Sequence, residues 1–297
     1  MVFTPGLTFL WDPRAVAAVQ RFFGPGWLGA FQALTYLGDI WVVVVALALA
    51  RWLGGRRLAY SLLAVIVLGA AVSTVLKALV GLPRPHGAGI AIHEAVNDGS
   101  FPSGHSLTAT TLWGGLARLG RLPWALAGLL VAIVMLSRVY LGVHYPGDVL
   151  GGAALGLLLV IGCTPILPGV SGRLASLSRR PAVVLGALLL AGALAAIPFV
   201  ELSVRAWQVA GGIVGAAIGI SLDVLASPSP QPPDGLVARV RLLLVGLGGL
   251  AALLGAAVLV ARSAPPLSGV GFALAALWVV PLAPVVVARL EARAGAA

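Results

Sequence analysis

The chain has 297 residues, of which 60% are apolar and only 9% are charged. A soluble domain carries about 25% charged residues, so this composition excludes a soluble globular protein and indicates a polytopic membrane protein. The formal net charge is +10, and every basic residue except Lys77 is an arginine. These arginines lie mainly at the ends of apolar segments, which indicates membrane orientation rather than nucleic-acid binding. The lone cysteine, Cys163, excludes an intrachain disulfide framework.

Residues 1–37 mix apolar and polar positions and contain several prolines and glycines. We expect one or two short helices here, near 13–22 and 26–36, that lie on the membrane surface rather than cross it. An alternative is that the second of them extends the first spanning helix. The N-terminal stretch also lacks the uninterrupted apolar core of a cleavable signal peptide.

Apolar segments long enough to cross a bilayer follow one another along the rest of the chain. Their expected bounds are 40–53, 58–82, 103–119, 122–143, 145–166, 182–200, 206–224, 239–261 and 267–288. The predicted fold class is an all-α integral membrane bundle of about nine transmembrane helices. We divide the chain into an N-terminal interfacial segment (1–37), a core bundle (38–168) and a C-terminal bundle (169–297) of about four of these helices.

The arginines are distributed unevenly if successive segments alternate in direction. One membrane face collects the larger share, including Arg56–Arg57 and Arg179–Arg180. Because basic residues accumulate on the cytoplasmic side, this face and the C-terminus are predicted to be cytoplasmic. The polar loop at 83–102 and the turn at 138–148 are then expected on the extracytoplasmic side of the cell membrane.

Three clusters of polar residues suited to phosphate chemistry lie between Lys77 and Asp148. In the first, Lys77 near the end of the second predicted helix is followed by Arg84 between two prolines. A lysine inside a spanning helix is costly and indicates a functional cation, with snorkelling toward the headgroups as the alternative. An arginine fork can bind two phosphate oxygens at once.

The second cluster is the string Pro102–Ser103–Gly104–His105 at the start of the third predicted helix. Serine and proline suit a helix N-terminus, glycine permits close approach of a ligand, and the free amides there attract anions. The string alone fits a simple helix cap as well as a phosphate cradle. His105 would be a proton donor in a phosphate site, or otherwise a core histidine.

The third cluster contains Ser137–Arg138 at the end of the fourth predicted helix, with His144 and Asp148 around the start of the fifth. A spacing of four residues can place the carboxylate against one ring nitrogen of His144, which leaves the other nitrogen free to attack phosphorus. The alternative is half of a metal site. No third protein ligand for a metal ion is evident beside His144 and Asp148, and the three converging cations would repel a metal ion.

Several other polar and aromatic residues have sequence positions that fit more than one role. His86, His93, Glu94 and Asp98 in the polar loop either help to admit substrate or are ordinary solvated residues. Asp39 is expected to cap the first spanning helix, with support of the site as the alternative. Five aromatic residues are expected to anchor the interface, or to line an entry for a lipid tail: Trp11, Phe22, Phe23, Trp27 and Tyr36.

The order and spacing of the three clusters resemble the type 2 phosphatidic acid phosphatase family, also called lipid phosphate phosphatases. That family shares its site with vanadium haloperoxidases and glucose-6-phosphatase. Its pattern of Lys-x6-Arg-Pro, Pro-Ser-Gly-His and Ser-Arg-x5-His-x3-Asp is present without departure. The resemblance covers roughly residues 38–168 and does not include the C-terminal bundle.

The resemblance implies that His144 attacks phosphorus and forms a phosphohistidine, with Asp148 orienting it, while His105 protonates the leaving group and then activates water. The phosphate oxygens would be bound by Lys77, Arg84, Ser103, Gly104 and Arg138. No metal ion or other cofactor is expected, because the three fixed cations supply the neutralising charge.

The predicted function is an integral-membrane lipid phosphate phosphatase. It would act on the headgroups of phosphatidate, phosphatidylglycerol phosphate, polyprenyl phosphates or diphosphates, or sphingoid phosphates. Two alternatives stay open, a lipid phosphotransferase with the same site and a transporter of a phosphorylated lipid; the membrane scaffold disfavours a vanadium haloperoxidase. The expected partners are the lipid substrate and the bilayer, without nucleic acid, and the sequence does not define an oligomeric state.

Overall fold

The computed structural model describes residues 8–87, 89–94, 96, 98–163, 204–225, 232–261 and 263–294. Within these residues the regular structure is helical throughout, without a β-strand. The α-helices are α1 (Pro13–Phe23), α2 (Leu28–Leu34), α3 (Ile40–Val80), α4 (Gly104–Ala109), α5 (Gly115–Arg118), α6 (Trp124–Tyr140), α7 (Pro146–Cys163), α8 (Val204–Leu225), α9 (Leu236–Ala261), α10 (Pro265–Leu277) and α11 (Ala283–Ala294). Single π-helical turns, Thr110–Gly114 and Trp278–Leu282, join α4 to α5 and α10 to α11.

Four of the described helical segments have the length and hydropathy needed to cross a membrane. They are Ile40–Val80, Pro146–Cys163, Leu236–Ala261 and Pro265–Leu290. Trp124–Tyr140 and Ala210–Asp223 are apolar but shorter. The predicted class, an all-α integral membrane protein, is therefore confirmed. The count of about nine transmembrane helices stays a prediction, and the segment expected at 182–200 lies outside the described residues.

α3 consists of two helices that meet at a sharp kink. Gly55 at the kink has a φ of 80° and a ψ of −180°, a backbone conformation that favours glycine. The kink falls between the two segments that the sequence predicts at 40–53 and 58–82. α3 begins at its cap Asp39, whose carboxylate accepts a hydrogen bond from the Trp41 amide at 3.3 Å.

The described residues divide into two compact units. The first contains the chain up to Leu47 and from Tyr60 to the end of α7, and the second contains Ala48–Ala59 together with α8 to α11. All of the predicted site residues lie in the first unit. The three-part division expected at 1–37, 38–168 and 169–297 stays a prediction.

In the first unit, the two N-terminal helices pack around the turn between α6 and α7. Val16 of α1 packs with Val139 and Tyr145 in a buried apolar cluster. Phe31 of α2 stacks on Tyr140 with ring centroids 4.2 Å apart. Because Tyr140 and Tyr145 flank the turn, these contacts hold its backbone from both sides. The bounds of α1 and α2 agree with the short helices expected there, and their position on the membrane surface stays a prediction.

α4 and α7 approach each other closely because two glycines of α7 face α4. A Cβ atom at Gly152 would lie 2.5 Å from the carbonyl oxygen of Ser103, and one at Gly156 would lie 2.7 Å from the Cβ of Thr110. Small residues four positions apart allow membrane helices to pack backbone against backbone. As a result the Ser103 amide donates a hydrogen bond of 3.0 Å to the carbonyl oxygen of Asp148. The beginnings of α4 and α7 are thus joined directly.

We expect Gly152→Ala to destabilise the first unit, because the added methyl group would overlap the Ser103 carbonyl oxygen. Overpacking of this kind costs about 1–3 kcal/mol of unfolding free energy. Gly128→Ala on α6 is a matched control, since a Cβ atom there meets nothing within 4 Å. In detergent, the thermal unfolding midpoint should fall for Gly152→Ala and stay constant or rise for Gly128→Ala. Equal midpoints would contradict the close approach of α4 and α7.

The second unit contains a buried ion-pair network. Arg51 and Asp223 lie 2.9 Å apart, and each side chain is 2% exposed. Arg56 binds the other oxygen of the Asp223 carboxylate at 2.5 Å. Charges buried in this way need such pairing to offset the loss of hydration. In the same unit the indole of Trp52 donates a hydrogen bond of 2.9 Å to the carbonyl oxygen of Val279.

Candidate active site

His144 lies in the turn between α6 and α7, and each of its ring nitrogens is close to a charged group. Nδ1 is 3.6 Å from Oδ2 of Asp148, and Nε2 is 3.3 Å from Nη1 of Arg84. The first distance is longer than an ordinary hydrogen bond, so the contact with the carboxylate is mainly electrostatic here. The ring is only 2% exposed. With its proton on Nδ1, toward the carboxylate, the imidazole presents the Nε2 lone pair beside the guanidinium group.

Asp148 is buried and receives three hydrogen bonds. The indole N–H of Trp11 donates to Oδ1 at 2.9 Å, while the Tyr145 amide at 2.8 Å and the Ser100 hydroxyl donate to Oδ2. Donors on both oxygens stabilise the ionised carboxylate and fix its orientation. The expectation that Trp11 anchors the interface stays a prediction, and its hydrogen bond to Asp148 is a contact that the sequence did not indicate. Its indole nitrogen reaches a carboxylate that lies 137 residues away in the chain.

The environment of His144 favours the neutral imidazole. Burial lowers the pKa of His144, and the positive charges of Arg84 and Arg138 act in the same direction. The Asp148 carboxylate opposes this shift without reversing it. His144 is therefore uncharged at neutral pH, and only the uncharged ring has a lone pair that can attack an electrophile.

Lys77 and Arg84 converge on one loop carboxylate, that of Asp98. Nζ of Lys77 lies 3.1 Å from Oδ2 of Asp98 and also donates to the carbonyl oxygen of Gly99 at 2.5 Å. The guanidinium group of Arg84 binds Oδ1 through Nη2. Burial alone would raise the pKa of Asp98, but the hydrogen bonds and charges of Arg84 and Lys77 outweigh it and lower the pKa below its ordinary value. An ionised carboxylate thus contacts both cations at once.

Arg138 lies in the last turn of α6 and is almost fully buried. Its Nη1 donates to Oε2 of Glu94 at 2.7 Å and to Oγ1 of Thr35 at 3.0 Å. Each of the three predicted phosphate-binding cations is therefore paired with a carboxylate of the loop between α3 and α4. Sequence reasoning left Glu94 and Asp98 undecided, and their contacts connect both of them to the candidate site.

The Pro-Ser-Gly-His string forms the start of α4. Ser103 is the cap, and its hydroxyl oxygen accepts a hydrogen bond of 3.4 Å from the Ser106 amide. A Cβ atom at Gly104 would meet only the Ser73 hydroxyl, at 3.8 Å, so the protein does not crowd the Gly104 backbone. Nε2 of His105 lies 3.4 Å from Oδ2 of Asp39.

The loop between α3 and α4 is tied to the helices around it by Gln20 of α1. Its side-chain amide donates to the carbonyl oxygens of Ala91, at 2.7 Å, and Tyr140, at 2.8 Å, and its oxygen accepts from the Ala91 amide. Gly142 permits this arrangement, because it has a φ of 74° and a Cβ atom there would lie 2.3 Å from the Ala91 carbonyl oxygen. A lone glutamine in an amphipathic helix had given no signal of this role.

A continuous series of contacts connects most of the predicted site residues. Lys77 and Arg84 share Asp98, Arg84 reaches His144, and His144 lies beside Asp148. The Asp148 backbone in turn binds Ser103, which is followed directly by Gly104 and His105. Arg138 is close enough for its charge to act on His144. Among the described residues, no group of three or more histidine, cysteine, aspartate or glutamate side chains could hold a metal ion.

The described residues combine a helical membrane scaffold with a buried histidine–aspartate pair among three cations, as in membrane-bound phosphatases with a histidine site. A family model described as the PAP2 superfamily matches residues 58–170. Phosphatidylglycerophosphatase B of Bacillus subtilis is 38% identical over 99 residues, which cover 30% of this chain and 47% of that protein. Decaprenylphosphoryl-5-phosphoribose phosphatase of Mycobacterium tuberculosis is 36% identical over 141 residues, which cover 44% of this chain and 76% of that protein.

The chain belongs to the PAP2 superfamily, and the resemblance inferred from the three motifs is confirmed. The match spans about half the length of the Bacillus relative and three quarters of the mycobacterial one. The chain is also similar to the crystal structure of a transmembrane PAP2-type phosphatidylglycerolphosphate phosphatase from Bacillus subtilis. That similarity has 26% sequence identity and a TM-score of 0.48, and it covers 57% of this chain and 88% of the solved one.

Proposed function

We propose that the protein is a lipid phosphate phosphatase that hydrolyses phosphomonoester or diphosphate headgroups through a phosphohistidine intermediate. The observation that carries this proposal is the environment of His144, a buried neutral imidazole with Asp148 beside Nδ1 and Arg84 beside Nε2. A lone pair next to a guanidinium group that can hold the phosphate is positioned for attack on phosphorus.

In the first step, Nε2 of His144 forms a bond to phosphorus while the bond to the leaving oxygen breaks. His105 donates a proton to that oxygen. A monoester substrate then releases a neutral lipid alcohol, and a diphosphate substrate releases a protonated lipid monophosphate. The attacking ring becomes positively charged, and Asp148 stabilises this charge from the Nδ1 side.

The transferred phosphoryl group carries negative charge on its equatorial oxygens throughout the reaction. The groups proposed to bind these oxygens are Lys77, Arg84, Arg138, the Ser103 hydroxyl and the Gly104 amide. In the substrate complex, the phosphate would replace Asp98 and Glu94 on the three cations. Fixed cations aimed at developing charge lower the barrier without the reorganisation that water would need.

In the second step, His105 takes a proton from water, and the resulting nucleophile attacks the phosphohistidine. The bond between phosphorus and Nε2 breaks, inorganic phosphate leaves, and His144 returns to its neutral form. The same histidine thus acts as acid in one step and base in the other. No metal ion takes part in this proposal, because the three cations provide the charge that a metal would otherwise supply.

Lipid substrates are supported by the relatives, since both are named for the removal of phosphate from lipid-linked compounds. The headgroup would enter from the bilayer with its apolar tail still between helices. The distribution of arginines supports a cell-membrane location with the site on the extracytoplasmic side and the C-terminus in the cytoplasm.

The test is phosphate release by the purified protein in detergent micelles with excess chelator. The panel would contain phosphatidate, phosphatidylglycerol phosphate, a polyprenyl diphosphate, a sphingoid phosphate and one water-soluble phosphomonoester, with an acceptor lipid added in parallel. We expect release of inorganic phosphate that survives chelation. Release that stops with chelator would contradict the metal-independent mechanism. Transfer to the acceptor lipid would favour a phosphotransferase, and neither release nor transfer would favour a transporter.

A further inference from the structure

We propose that Asp39 is a positioning residue for His105, which it orients and holds in its proton-donating form. This inference rests on the proposed function, because it concerns the histidine that serves there as acid and base. Oδ2 of Asp39 lies 3.4 Å from Nε2 of His105, and the two side chains are only 11% and 15% exposed. In such a partly buried setting, the attraction between a carboxylate and an imidazolium ion is screened less than at the surface.

The carboxylate of Asp39 is itself held in place. Besides facing His105 with Oδ2, it caps α3 by accepting a hydrogen bond from the Trp41 amide through Oδ1 at 3.3 Å. One carboxylate therefore makes two directed contacts. The cap ties the carboxylate to the first turn of a long helix, which limits the rotamers that it can adopt.

The backbone segments that carry the two residues are also packed directly together. A Cβ atom at Gly38, next to Asp39, would lie 2.7 Å from the carbonyl oxygen of His105. Trp113 lies in the π-helical turn that follows α4, and its indole donates a hydrogen bond of 2.9 Å to the carbonyl oxygen of Leu37. Both contacts involve residues just before Asp39 in the chain, and they hold this segment close to the backbone of His105.

This geometry assigns different tasks to the two nitrogens of His105. Nε2–H faces Asp39, so Nδ1–H is the group that donates its proton to the leaving oxygen as the phosphorus–oxygen bond breaks. Asp39 keeps its charge, and no proton passes to it. When the neutral ring later takes a proton from water at Nδ1, the carboxylate stabilises the imidazolium ion that forms.

Asp39→Asn separates this role from the capping role. Asparagine caps helices about as well as aspartate, so the substitution removes the charge while keeping a side-chain oxygen for the Trp41 amide. Asp12→Asn is the matched control, since Asp12 caps α1 in the same way at a residue outside the candidate site. Asp39→Ala, which removes both functions, would report the effect of losing the cap on the thermal unfolding midpoint.

The readout compares two leaving groups in rapid-quench experiments. With a lipid phosphate, whose alkoxide needs a proton, Asp39→Asn should slow formation of the phosphoenzyme about 10- to 100-fold, the range typical of a lost supporting contact. With p-nitrophenyl phosphate, whose phenolate leaves without protonation, the burst of nitrophenolate should keep its rate. The dissociation constant of both substrates, taken from the concentration dependence of the burst rate, should change less than about twofold. Asp12→Asn should match the parent protein with both substrates.

A uniform loss with both substrates, or no loss with either, would overturn the role of Asp39 while leaving the phosphatase function intact. Failure of the proposed function has a different signature. In that case the parent protein itself would release no phosphate from either substrate.

Discussion

Replacement of His144 by asparagine is expected to lower kcat by a factor on the order of 10⁴–10⁶, the loss seen when a covalent nucleophile is removed. Asparagine is smaller than histidine and can hydrogen-bond, but its amide nitrogen has no lone pair available for attack on phosphorus. The measurement is phosphate release from a lipid phosphate under saturating conditions, together with the thermal unfolding midpoint of the purified variant in detergent.

His86→Asn is the matched control, because His86 is an exposed histidine of the loop between α3 and α4. It should keep kcat within about twofold of the parent value. If His144→Asn remained folded and retained more than about a tenth of the parent kcat, the assignment of His144 as the nucleophile would be wrong.

Replacement of His105 by alanine is expected to lower kcat for lipid phosphates by about 10²–10⁴-fold, the usual contribution of a general acid or base. When the leaving group needs no proton, His105→Ala should slow hydrolysis of the phosphohistidine much more than its formation. With p-nitrophenyl phosphate, His105→Ala should release one equivalent of nitrophenolate and then stall, because no base activates water to hydrolyse the phosphohistidine.

The stalled enzyme can be detected directly. After a quench in alkali, in which phosphohistidine survives, the variant should carry close to one phosphoryl group per chain on the peptide that contains His144. A variant that turns over p-nitrophenyl phosphate at the parent rate would contradict the second role of His105. A variant that stalls without a covalent phosphoryl group would contradict the intermediate itself.

The residues of the three clusters could be selected from the sequence because their chemistry is costly in a membrane. Lys77 in a spanning helix, and His144 and Asp148 next to a helix start, have few roles outside a functional site. The spacing of His144 and Asp148 also predicts their contact, since residues four positions apart at the start of a helix lie on the same side of it. The distance between His144 and Asp148 is therefore a consequence of short-range structure.

The supporting contacts could not be predicted because they depend on the packing of distant segments. Trp11 hydrogen-bonds to Asp148 only because α1 and the turn before it are packed against the end of α6, and nothing in its own neighbourhood distinguishes it from an interfacial tryptophan. Glu94 and Asp98 lie in an irregular loop that is held at Ala91 by the side chain of Gln20, a residue of the distant helix α1. Asp39 was expected to cap a helix, with support of the site as the alternative, and the cap pattern contains no information on what the second carboxylate oxygen faces.

The helical class followed from composition, whereas the number of spanning helices did not. Apolar segments of similar length can cross the bilayer or pack inside the protein. Four of the described segments are long and apolar enough to cross it. The kink in α3 could be predicted from the sequence, because Gly54 and Gly55 precede Arg56 and Arg57 and this combination interrupts an apolar helix. The close contact between α4 and α7 depends on glycines whose partners cannot be read from α7 alone.

The most direct test of the central proposal, a covalent phosphohistidine, is the stereochemistry at phosphorus. A substrate phosphorothioate made chiral at phosphorus with two oxygen isotopes would be hydrolysed by the parent protein in water of the third isotope, and the configuration of the inorganic thiophosphate determined by phosphorus NMR. Two successive in-line displacements, first by Nε2 of His144 and then by water, predict net retention of configuration. Net inversion would show a single displacement by water and would contradict a covalent intermediate on His144.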